Sequence, residues 1–243
     1  MATTMTPTTL GRWQYGPIQH PRLVIVGAGE FAEIAHEYFE HDSPYTVAGF
    51  AVEREYLTRR ELCGFPVVPL DEVERHFPPQ AHSAFVAVTY TKLNRVRARL
   101  YQAMKAKGYG LARYVSSNAF VWHNVQVGEN VFIFESNVVQ HRVGISDNCI
   151  LWSGNHVGHR STILPHCYIA SHVVISGYCS IGEYSFVGVN VTIADHVSVG
   201  RNCLLGAGST ILRNTPDDSL YQSQSTQASK VSSLRFYKIR EDG

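Results

Sequence analysis

Val, Ile or Leu stands at every sixth position of this 243-residue chain from Val115 to Ile211, without an exception. Four residues after each of them comes a small residue, a Val or an Asn, as at Ala119, Val125 and Asn137. A period of six fits neither the 3.6-residue period of a helix nor the two-residue alternation of a half-buried strand. It is typical of a hexapeptide β-helix, in which each hexad supplies one short strand and one corner.

The aliphatic residue of each hexad is expected to fill the interior of a triangular prism. With one hexad on each side, a coil takes eighteen residues, and residues eighteen apart stack. Cys149, Cys167, Cys179 and Cys203 occupy the small-residue position, where a free Cys packs as a small hydrophobe. Cys63 lies outside the repeat and has no spaced partner. This cysteine usage predicts a reduced, cytoplasmic protein without disulfides or a thiolate metal site.

Residues 22–112 instead alternate between strand and helix patterns. The predicted strands are 23–26, 45–52, 66–68 and 84–88, and the predicted helices are 30–40, 71–77 and 92–107. Asp71 is a candidate cap for the second of these helices. Strands that alternate with helices predict a parallel sheet.

The change of period near Val115 therefore divides the chain. We predict a polar N-terminal extension over 1–21, a small Rossmann-like α/β domain over 22–112, a parallel β-helix over 113–212 and a tail over 213–243. The tail is expected to contain a short final strand at 234–239.

Composition excludes several classes of function. The net charge is +1, which gives no electrostatic reason to bind nucleic acid or an anionic membrane. No apolar stretch approaches the ~20 residues that span a bilayer. The first twenty residues have no hydrophobic core of the kind a signal peptide needs, so we expect none there.

The turn after the first predicted strand carries a GxGxxA motif. Gly27 permits the tight turn, and Gly29 lets a phosphate-bearing ligand approach the backbone near the helix N-terminus. Glu53 follows the second strand and could accept a ribose hydroxyl. The α/β segment has about half the length of a full dinucleotide-binding fold, which favours a mononucleotide site over an NAD site. A purely structural turn is the alternative.

The repeat contains a ladder of polar residues. His123, His141 and His159 are eighteen residues apart, and Gly177 and Asp195 continue the same row. These residues should stack along one face of the prism. Such a row can be a solvated surface or a reaction site, and the small Gly177 beside His159 favours the second interpretation.

With these motifs the chain resembles bacterial sugar acyltransferases of the left-handed β-helix superfamily, in the group related to sialic acid O-acetyltransferases. The resemblance rests on the GxGxxA turn, the segment 94–97 (NRVR), the uninterrupted hexads and the segment 157–160 (VGHR). Functionally similar members acetylate the amino group of nucleotide-linked amino sugars. The resemblance implies a left-handed β-helix and a homotrimer, with acetyl-CoA bound between neighbouring β-helices.

The resemblance also implies roles for individual residues. His159 matches the general base, and Gly177 matches the donor of a backbone N–H to the thioester carbonyl. The residues assigned to the nucleotide-sugar substrate are Gly27, Gly29, Glu30, Phe31, Glu53, Thr91, Arg97, His141, Asn155 and His156. Those assigned to CoA are Gly177, Asp195 and Arg201, and no metal is expected.

Three positions depart from the pattern of these proteins. Arg160 stands where an acid commonly follows the base, and Tyr168 stands where a second His is often found. The usual Gly-x-Pro-Ala motif is absent from the tail.

The predicted chemistry is direct acetyl transfer from acetyl-CoA to a nucleotide-linked amino sugar. A neutral His suits proton removal from the nucleophile, and a rigid backbone N–H suits the developing oxyanion. The alternatives are O-acetylation of a sugar hydroxyl and a non-catalytic trimeric scaffold. A zinc enzyme of the γ-carbonic anhydrase type is disfavoured, because its repeat holds two His ligands five residues apart. Here that spacing occurs only at His36 and His41, outside the repeat.

Overall fold

The structure is a computed structural model that describes residues 12–239. Its first part is a five-stranded sheet with β1 (Arg22–Val26), β2 (Thr46–Val52), β3 (Glu61–Leu62), β4 (Phe65–Pro69) and β5 (Ser83–Val86). The strand order is β3-β4-β2-β1-β5. All neighbours are parallel except β3 and β4, which form an antiparallel pair. The parallel sheet predicted for this segment is confirmed.

Three helices connect or flank these strands: α1 (Glu30–Asp42), α2 (Val73–His76) and α3 (Arg95–Ala106). The apolar face of α1 buries Phe31, Ala35 and Phe39 against the sheet. On the other side of the sheet, Leu100 and Met104 of α3 pack against Val24 and its neighbours. The sheet is thus covered on both faces, as expected for parallel strands.

The second part is a parallel β-helix built from two-residue strands. They are β6 (Tyr114–Val115), β7 (Phe120–Val121), β8 (Gln126–Val127), β9 (Phe132–Ile133), β10 (Val138–Val139), β11 (Gly144–Ile145), β12 (Ile150–Leu151), β13 (His156–Val157), β14 (Thr162–Ile163), β15 (Tyr168–Ile169), β16 (Val174–Ile175), β17 (Ser180–Ile181), β18 (Phe186–Val187), β19 (Thr192–Ile193), β20 (Ser198–Val199), β21 (Leu204–Leu205), β22 (Thr210–Ile211) and β23 (Leu220–Tyr221).

These strands form three sheets, one on each side of the prism. Sheet I contains β6, β9, β12, β15, β18, β21 and β23; sheet II contains β7, β10, β13, β16, β19 and β22; sheet III contains β8, β11, β14, β17 and β20. From β6 to β22, paired residues are eighteen apart, as with Val139 and Val157. The parallel β-helix predicted from the period of six is confirmed, and its stacked sheets are consistent with the left-handed form that the resemblance implies.

The interior of the prism contains the whole aliphatic row, buried in one cluster with the apolar residues of the small position, such as Ala119 and Val125. The four repeat cysteines are buried in it or beside it, whereas Cys63 is exposed. The corners need a left-handed backbone, which non-glycine residues such as Arg142, Arg160 and Tyr178 adopt with φ of 56°, 59° and 54°.

The two parts pack together through an aromatic cluster. Phe39 of α1 lies between Phe85 of β5 and Phe132 of sheet I, with ring centroids 5.0 and 5.8 Å away. The buried guanidinium of Arg97 also joins them, because it donates to the carbonyls of Val86 and Asn130. Among residues 12–239 the α/β domain is therefore seated on sheet I and not on sheet II or III.

Several sequence expectations were wrong in detail. Helix α3 begins at Arg95 and not at 92, because residues 92–94 take left-handed φ values of 52°, 49° and 62°. The final strand expected at 234–239 is replaced by the short helix α4 (Ser233–Phe236). Asp71 does not cap α2; its carboxylate accepts a hydrogen bond from Arg54 instead.

The ends of the chain add contacts to the prism. Of the expected N-terminal extension, residues 1–11 lie outside the described residues. The Trp13 N–H donates to the carbonyl of Val121 at 2.8 Å, so the chain before β1 already touches the β-helix. Strand β23, in the segment assigned to the tail, pairs with β21 and extends sheet I.

Candidate active site

The histidine ladder lies on the corner between sheets II and III. His123, His141, His159, Gly177 and Asp195 each follow a strand of sheet II by two residues, and the register of that sheet stacks them. The side chains of the three histidines and of Asp195 are exposed. Gly177 has no side chain, which leaves a gap in the row between His159 and Asp195. The corner therefore presents two polar groups on either side of a gap.

His159 leans over that gap. A Cβ built on Gly177 would lie 2.7 Å from His159 Cε1 and 3.0 Å from His159 Nε2. Gly177 is buried beneath the imidazole, and the Nε2 edge of the ring faces the glycine. Within residues 12–239 the Gly177 N–H donates to no acceptor. An imidazole nitrogen and an unused backbone donor therefore lie side by side.

Asp195 closes the gap from the opposite side. Its Oδ1 would lie 3.1 Å from the same Cβ position. Its Oδ2 is bound by Nδ1 of His196 at 2.6 Å. The His196 ring is stacked on Tyr178, with centroids 4.8 Å apart, and the Tyr178 ring meets His159 edge-on at 5.2 Å. Tyr178 and His196 thus hold the two polar groups in place.

The charges around His159 are mixed. The Arg160 guanidinium lies 5.8 Å from the centre of the Tyr178 ring, on the same corner as the imidazole. One coil below, desolvation lowers the pKa of His141, and the nearby positive charges of Arg142 and Arg160 lower it further. These cations favour the neutral form of His141.

Contacts with neighbouring coils fix the backbone of the ladder. The Oε1 of Gln140 accepts a hydrogen bond from the His159 N–H at 3.0 Å. Nδ1 of His141 lies 3.1 Å from Nδ2 of Asn124. His141 therefore presents its Nε2 edge outward, one coil below His159.

Asn155 and His156 are placed differently from one another. Asn155 is buried, and its amide serves the backbone by donating to the Trp152 carbonyl and accepting from the Val173 N–H. His156 is half-buried on the outer face of sheet II, between the ladder and the α/β domain. Of these two, only His156 presents its side chain on the outer face of sheet II.

A separate cavity of about 790 Å³ lies at the carboxyl ends of the strands of the α/β domain. Its lining brings together the predicted residues Gly27, Gly29, Glu30, Phe31, Glu53 and Thr91. The indole of Trp152, from sheet I, forms part of the wall. The crevice beyond the carboxyl ends of parallel strands is where open α/β sheets bind ligands.

The two glycines of the turn have different surroundings. Gly27 has a φ of 132°, and a Cβ there would lie 2.7 Å from the carbonyl oxygen of Ala87, so the fold itself requires glycine. A Cβ at Gly29 would meet nothing within 4 Å. Gly29 is therefore open towards the cavity, and a side chain there tests ligand binding without a clash.

Glu53 is held by a residue that the sequence did not single out. Arg99 donates two hydrogen bonds to its carboxylate, at 2.7 and 2.8 Å, and this pairing lowers the pKa of Glu53. Arg99 lies two residues after Arg97 on α3 and so on nearly the opposite face of the helix, where it reaches Glu53 while Arg97 is buried. Trp152 was also missed, because its position in the cavity depends on how the two domains pack.

Arg97 and Arg201 stand apart from both places. Arg97 is fully buried and does not line the cavity; its hydrogen bonds go to backbone carbonyls. Arg201 is exposed near the end of the β-helix, 3.8 Å from the carboxylate of Asp217. Within the described part of the chain, no cluster of three or more His, Cys, Asp or Glu residues is arranged to hold a metal ion. No helix among residues 12–239 has the length and apolar character needed to cross a membrane.

Known proteins with the same features are sugar acetyltransferases. The model of the bacterial transferase hexapeptide family (six repeats) matches residues 178–213. No curated sequence matches the chain significantly. The acetyltransferase domain of PglB from Neisseria gonorrhoeae has the same fold, with 23% identity, a TM-score of 0.75, and coverage of 84% of this chain and 97% of that chain.

The perosamine N-acetyltransferase of Caulobacter crescentus is more similar in sequence. A histidine-to-asparagine mutant of it, solved with CoA and GDP-perosamine, is 27% identical and has a TM-score of 0.75, over 83% of this chain and 93% of that chain. PerB from the same organism, in complex with the same two ligands, is 25% identical with a TM-score of 0.73. By its repeat, its two-part fold and these comparisons, the chain is similar to hexapeptide-repeat acetyltransferases that act on sugars.

Proposed function

We propose that the protein transfers the acetyl group of acetyl-CoA to the amine of a nucleotide-linked amino sugar. The observation that carries this proposal is the apposition of His159 Nε2 and Gly177 on a rigid corner of the β-helix. The 27% identity to a perosamine N-acetyltransferase in complex with CoA and GDP-perosamine supports the same chemistry.

In this proposal His159 is the general base. Neutral imidazole takes a proton from the nucleophile as the nucleophile attacks the thioester carbonyl. The Gly177 N–H, which has no acceptor within residues 12–239, donates to the carbonyl oxygen as negative charge develops on it. A backbone donor on a stacked coil needs no rearrangement at that moment.

Transfer is proposed to be direct. An acyl-cysteine intermediate would require an accessible thiolate near His159. Cys179 is the repeat cysteine nearest in sequence to the gap, but it is buried inside the prism, and burial raises its pKa. Burial raises the pKa of Cys167 as well. These thiols are packed as small apolar groups and are poor nucleophiles.

The cavity of the α/β domain is proposed to hold the nucleotide of the acceptor. Its volume lies within the ~300–1,000 Å³ range of small-molecule sites. Gly29 allows a phosphate to approach the backbone at the start of α1, and Glu53 is aimed by Arg99 for a ribose hydroxyl. Glu30, Phe31 and Thr91 complete this wall.

The protein is proposed to act as a cytoplasmic homotrimer. Within residues 12–239 the α/β domain packs on sheet I, and sheets II and III are proposed to face neighbouring copies. Acetyl-CoA is proposed to lie along the corner between them, with its thioester at Gly177, Asp195 beside the thioester end and Arg201 near the phosphates. His141 and His156 are proposed to border the sugar.

The test is CoA release from acetyl-CoA against UDP-, GDP- and dTDP-linked amino sugars, with matched hydroxyl sugars beside them. We expect turnover with an amino sugar. His159→Ala should lower kcat by roughly the 10²–10⁴-fold that general bases contribute. His123→Ala, two coils below on the same ladder, is the matched control and should keep wild-type turnover.

Gly29→Leu tests the cavity separately. Its side chain projects into open space, so the protein should fold normally while KM for the nucleotide sugar rises and kcat changes little. Turnover with hydroxyl sugars alone would establish O-acetylation in place of the proposal. If no sugar of the panel supports CoA release although the protein binds acetyl-CoA, the result would favour a non-catalytic scaffold.

A further inference from the structure

We propose that Asp195 selects an amine over a hydroxyl at this site, by accepting the second N–H of the attacking nitrogen. The inference rests on the proposed function and goes beyond it, because it gives the corner a means of choosing the acceptor. It starts from the two polar atoms that face the Gly177 gap.

These two atoms are His159 Nε2 and Asp195 Oδ1. Each lies about 3 Å from one point above Gly177, so they are at most about 6 Å apart. They form no direct ion pair with one another in the described structure. With Nδ1 protonated, Nε2 is an acceptor, and a carboxylate oxygen can only accept. Two acceptors therefore face the same gap above Gly177.

A primary amine matches this pair. It carries two N–H bonds and a lone pair, whereas a hydroxyl carries one O–H. A nitrogen at about 2.9 Å from each acceptor, with its two N–H bonds at the tetrahedral angle, bridges acceptors about 4.7 Å apart. That span falls within the limit set by the geometry. The lone pair then points away from both acceptors, towards the thioester carbon.

The carboxylate is fixed for this role. Its Oδ2 is bound by His196 at 2.6 Å, and His196 is stacked on Tyr178, which leaves Oδ1 to face the gap. A hydroxyl has a single O–H, and His159 already accepts it, so a hydroxyl has no second hydrogen to donate to Asp195. With a hydroxyl acceptor the carboxylate would stay unpaired beside the reacting oxygen and the developing negative charge.

The atoms balance in the following way. The amine nitrogen forms a bond to the carbonyl carbon of the thioester, and the carbon–sulfur bond breaks. His159 Nε2 takes one proton from the nitrogen and passes it to the departing thiolate of CoA. The second N–H, held by Asp195, remains in the product amide. Asp195 itself neither gains nor loses a proton.

The experiment measures kcat/KM for Asp195→Ala and Asp195→Glu, with the amino sugar that the panel identifies and with its hydroxyl counterpart. A hydrogen bond to a charged group is worth ~1.5–3 kcal/mol, so Asp195→Ala should lower kcat/KM for the amino sugar by about 10- to 100-fold. KM for acetyl-CoA and any turnover of the hydroxyl sugar should change less than about threefold. Asp195→Glu should restore part of the loss.

Asp71→Asn is the matched control. Asp71 has the same exposure as Asp195, 58% of its side chain, and it is also ion-paired, to Arg54 in the α/β domain. Its replacement should leave kcat/KM unchanged for both the amino sugar and the hydroxyl sugar. Thermal melting should show that each variant folds, because exposed ion pairs contribute only ~0–1 kcal/mol.

Three outcomes would overturn the inference while leaving the proposed function intact. The first is an equal loss of kcat/KM for the amino sugar and the hydroxyl sugar, and the second is no loss of kcat/KM for either sugar. The third is a rise in KM for acetyl-CoA with no other change. An inactive wild-type protein would instead remove the proposed function on which the inference rests.

Discussion

Gly177→Ala adds one methyl group beneath the imidazole of His159. The new Cβ would lie 2.7 Å from Cε1 and 3.0 Å from Nε2 of that ring. Carbon atoms pack best at about 3.5–4.0 Å, so the imidazole must move outward by about 1 Å. Asp195 Oδ1, at 3.1 Å, must move in the opposite direction. The substitution therefore widens the gap between the two polar atoms.

The fold should tolerate this change. Gly177 is not one of the glycines with a left-handed φ, so alanine suits its backbone. The atoms that must move belong to the exposed side chains of His159 and Asp195, and neither is packed in the core. Gly→Ala at a compatible site gains ~0.4–1 kcal/mol from the unfolded chain, which offsets part of the contact strain. We expect the free energy of unfolding to change by less than about 1 kcal/mol.

Activity should fall much more than stability. A misplacement of about 1 Å at a reacting group can cost about 10²-fold in rate. We expect kcat with the amino sugar to fall by that factor, while KM for the nucleotide sugar, whose nucleotide is proposed to bind in the cavity of the α/β domain, stays near the wild-type value. The assay is steady-state CoA release, with urea unfolding measured in parallel. Gly110→Ala is the control, because a Cβ there meets nothing within 4 Å.

One result would refute this reasoning. If Gly177→Ala folds like the wild type and keeps kcat within about threefold, the spacing of His159 over Gly177 does not govern the chemistry. A large loss of stability would show instead that the gap is a packing requirement of the coil.

Three further predictions concern groups outside the gap. Arg97→Met should lower the free energy of unfolding by roughly 1–3 kcal/mol, measured by urea titration, because it leaves buried carbonyl oxygens without a donor. Arg99→Met should change stability by less than ~1 kcal/mol, since the pair is exposed, yet raise KM for the nucleotide sugar by releasing Glu53. Burial lowers the pKa of His166, whose Nδ1 lies 2.8 Å from the amide of Asn148. Because the unfolded chain then binds a proton more readily, with a His pKa of ~6.5, His166 should make the protein less stable as pH falls below about 6.5. Urea midpoints at about pH 7.5 and 5.5 should differ less in His166→Asn than in the wild type.

The fold of the repeat could be predicted because one rule governs each of its positions. An aliphatic residue every sixth position can be buried only if each hexad forms one side of the prism. The eighteen-residue register follows, and with it the stacking of His141, His159, Gly177 and Asp195. Their proximity is a consequence of the backbone period and needs no knowledge of side-chain packing.

The start of α3 could not be predicted in the same way. The segment 92–94 reads as part of a charged amphipathic helix, but its residues take left-handed φ values. The buried Asn94 and the hydrogen bonds of Arg97 to the strand carbonyls are tertiary features that fix this turn. Local helix propensity is a weak prior against such packing.

The same limit explains the residues that sequence reasoning placed differently or missed. The resemblance assigns Arg97 to the substrate, but its guanidinium is buried and donates to backbone carbonyls. Its burial follows from the seating of the α/β domain on sheet I, which no pattern within either domain specifies. Trp152 lines the cavity for the same reason.

The positions of the cavity and the corner suit a substrate with two distant ends. Trp152 at the end of sheet I belongs to the cavity wall, whereas His159 follows the next strand, at the far edge of sheet II. A nucleotide sugar presents its nucleotide at one end and its reacting group at the other. Binding energy gained from the nucleotide in the α/β domain can then hold the reacting group at the corner, where the prism keeps His159 and Gly177 in register. Changes in the cavity should therefore alter which nucleotide is accepted, and changes at the corner should alter which group is acetylated and how fast.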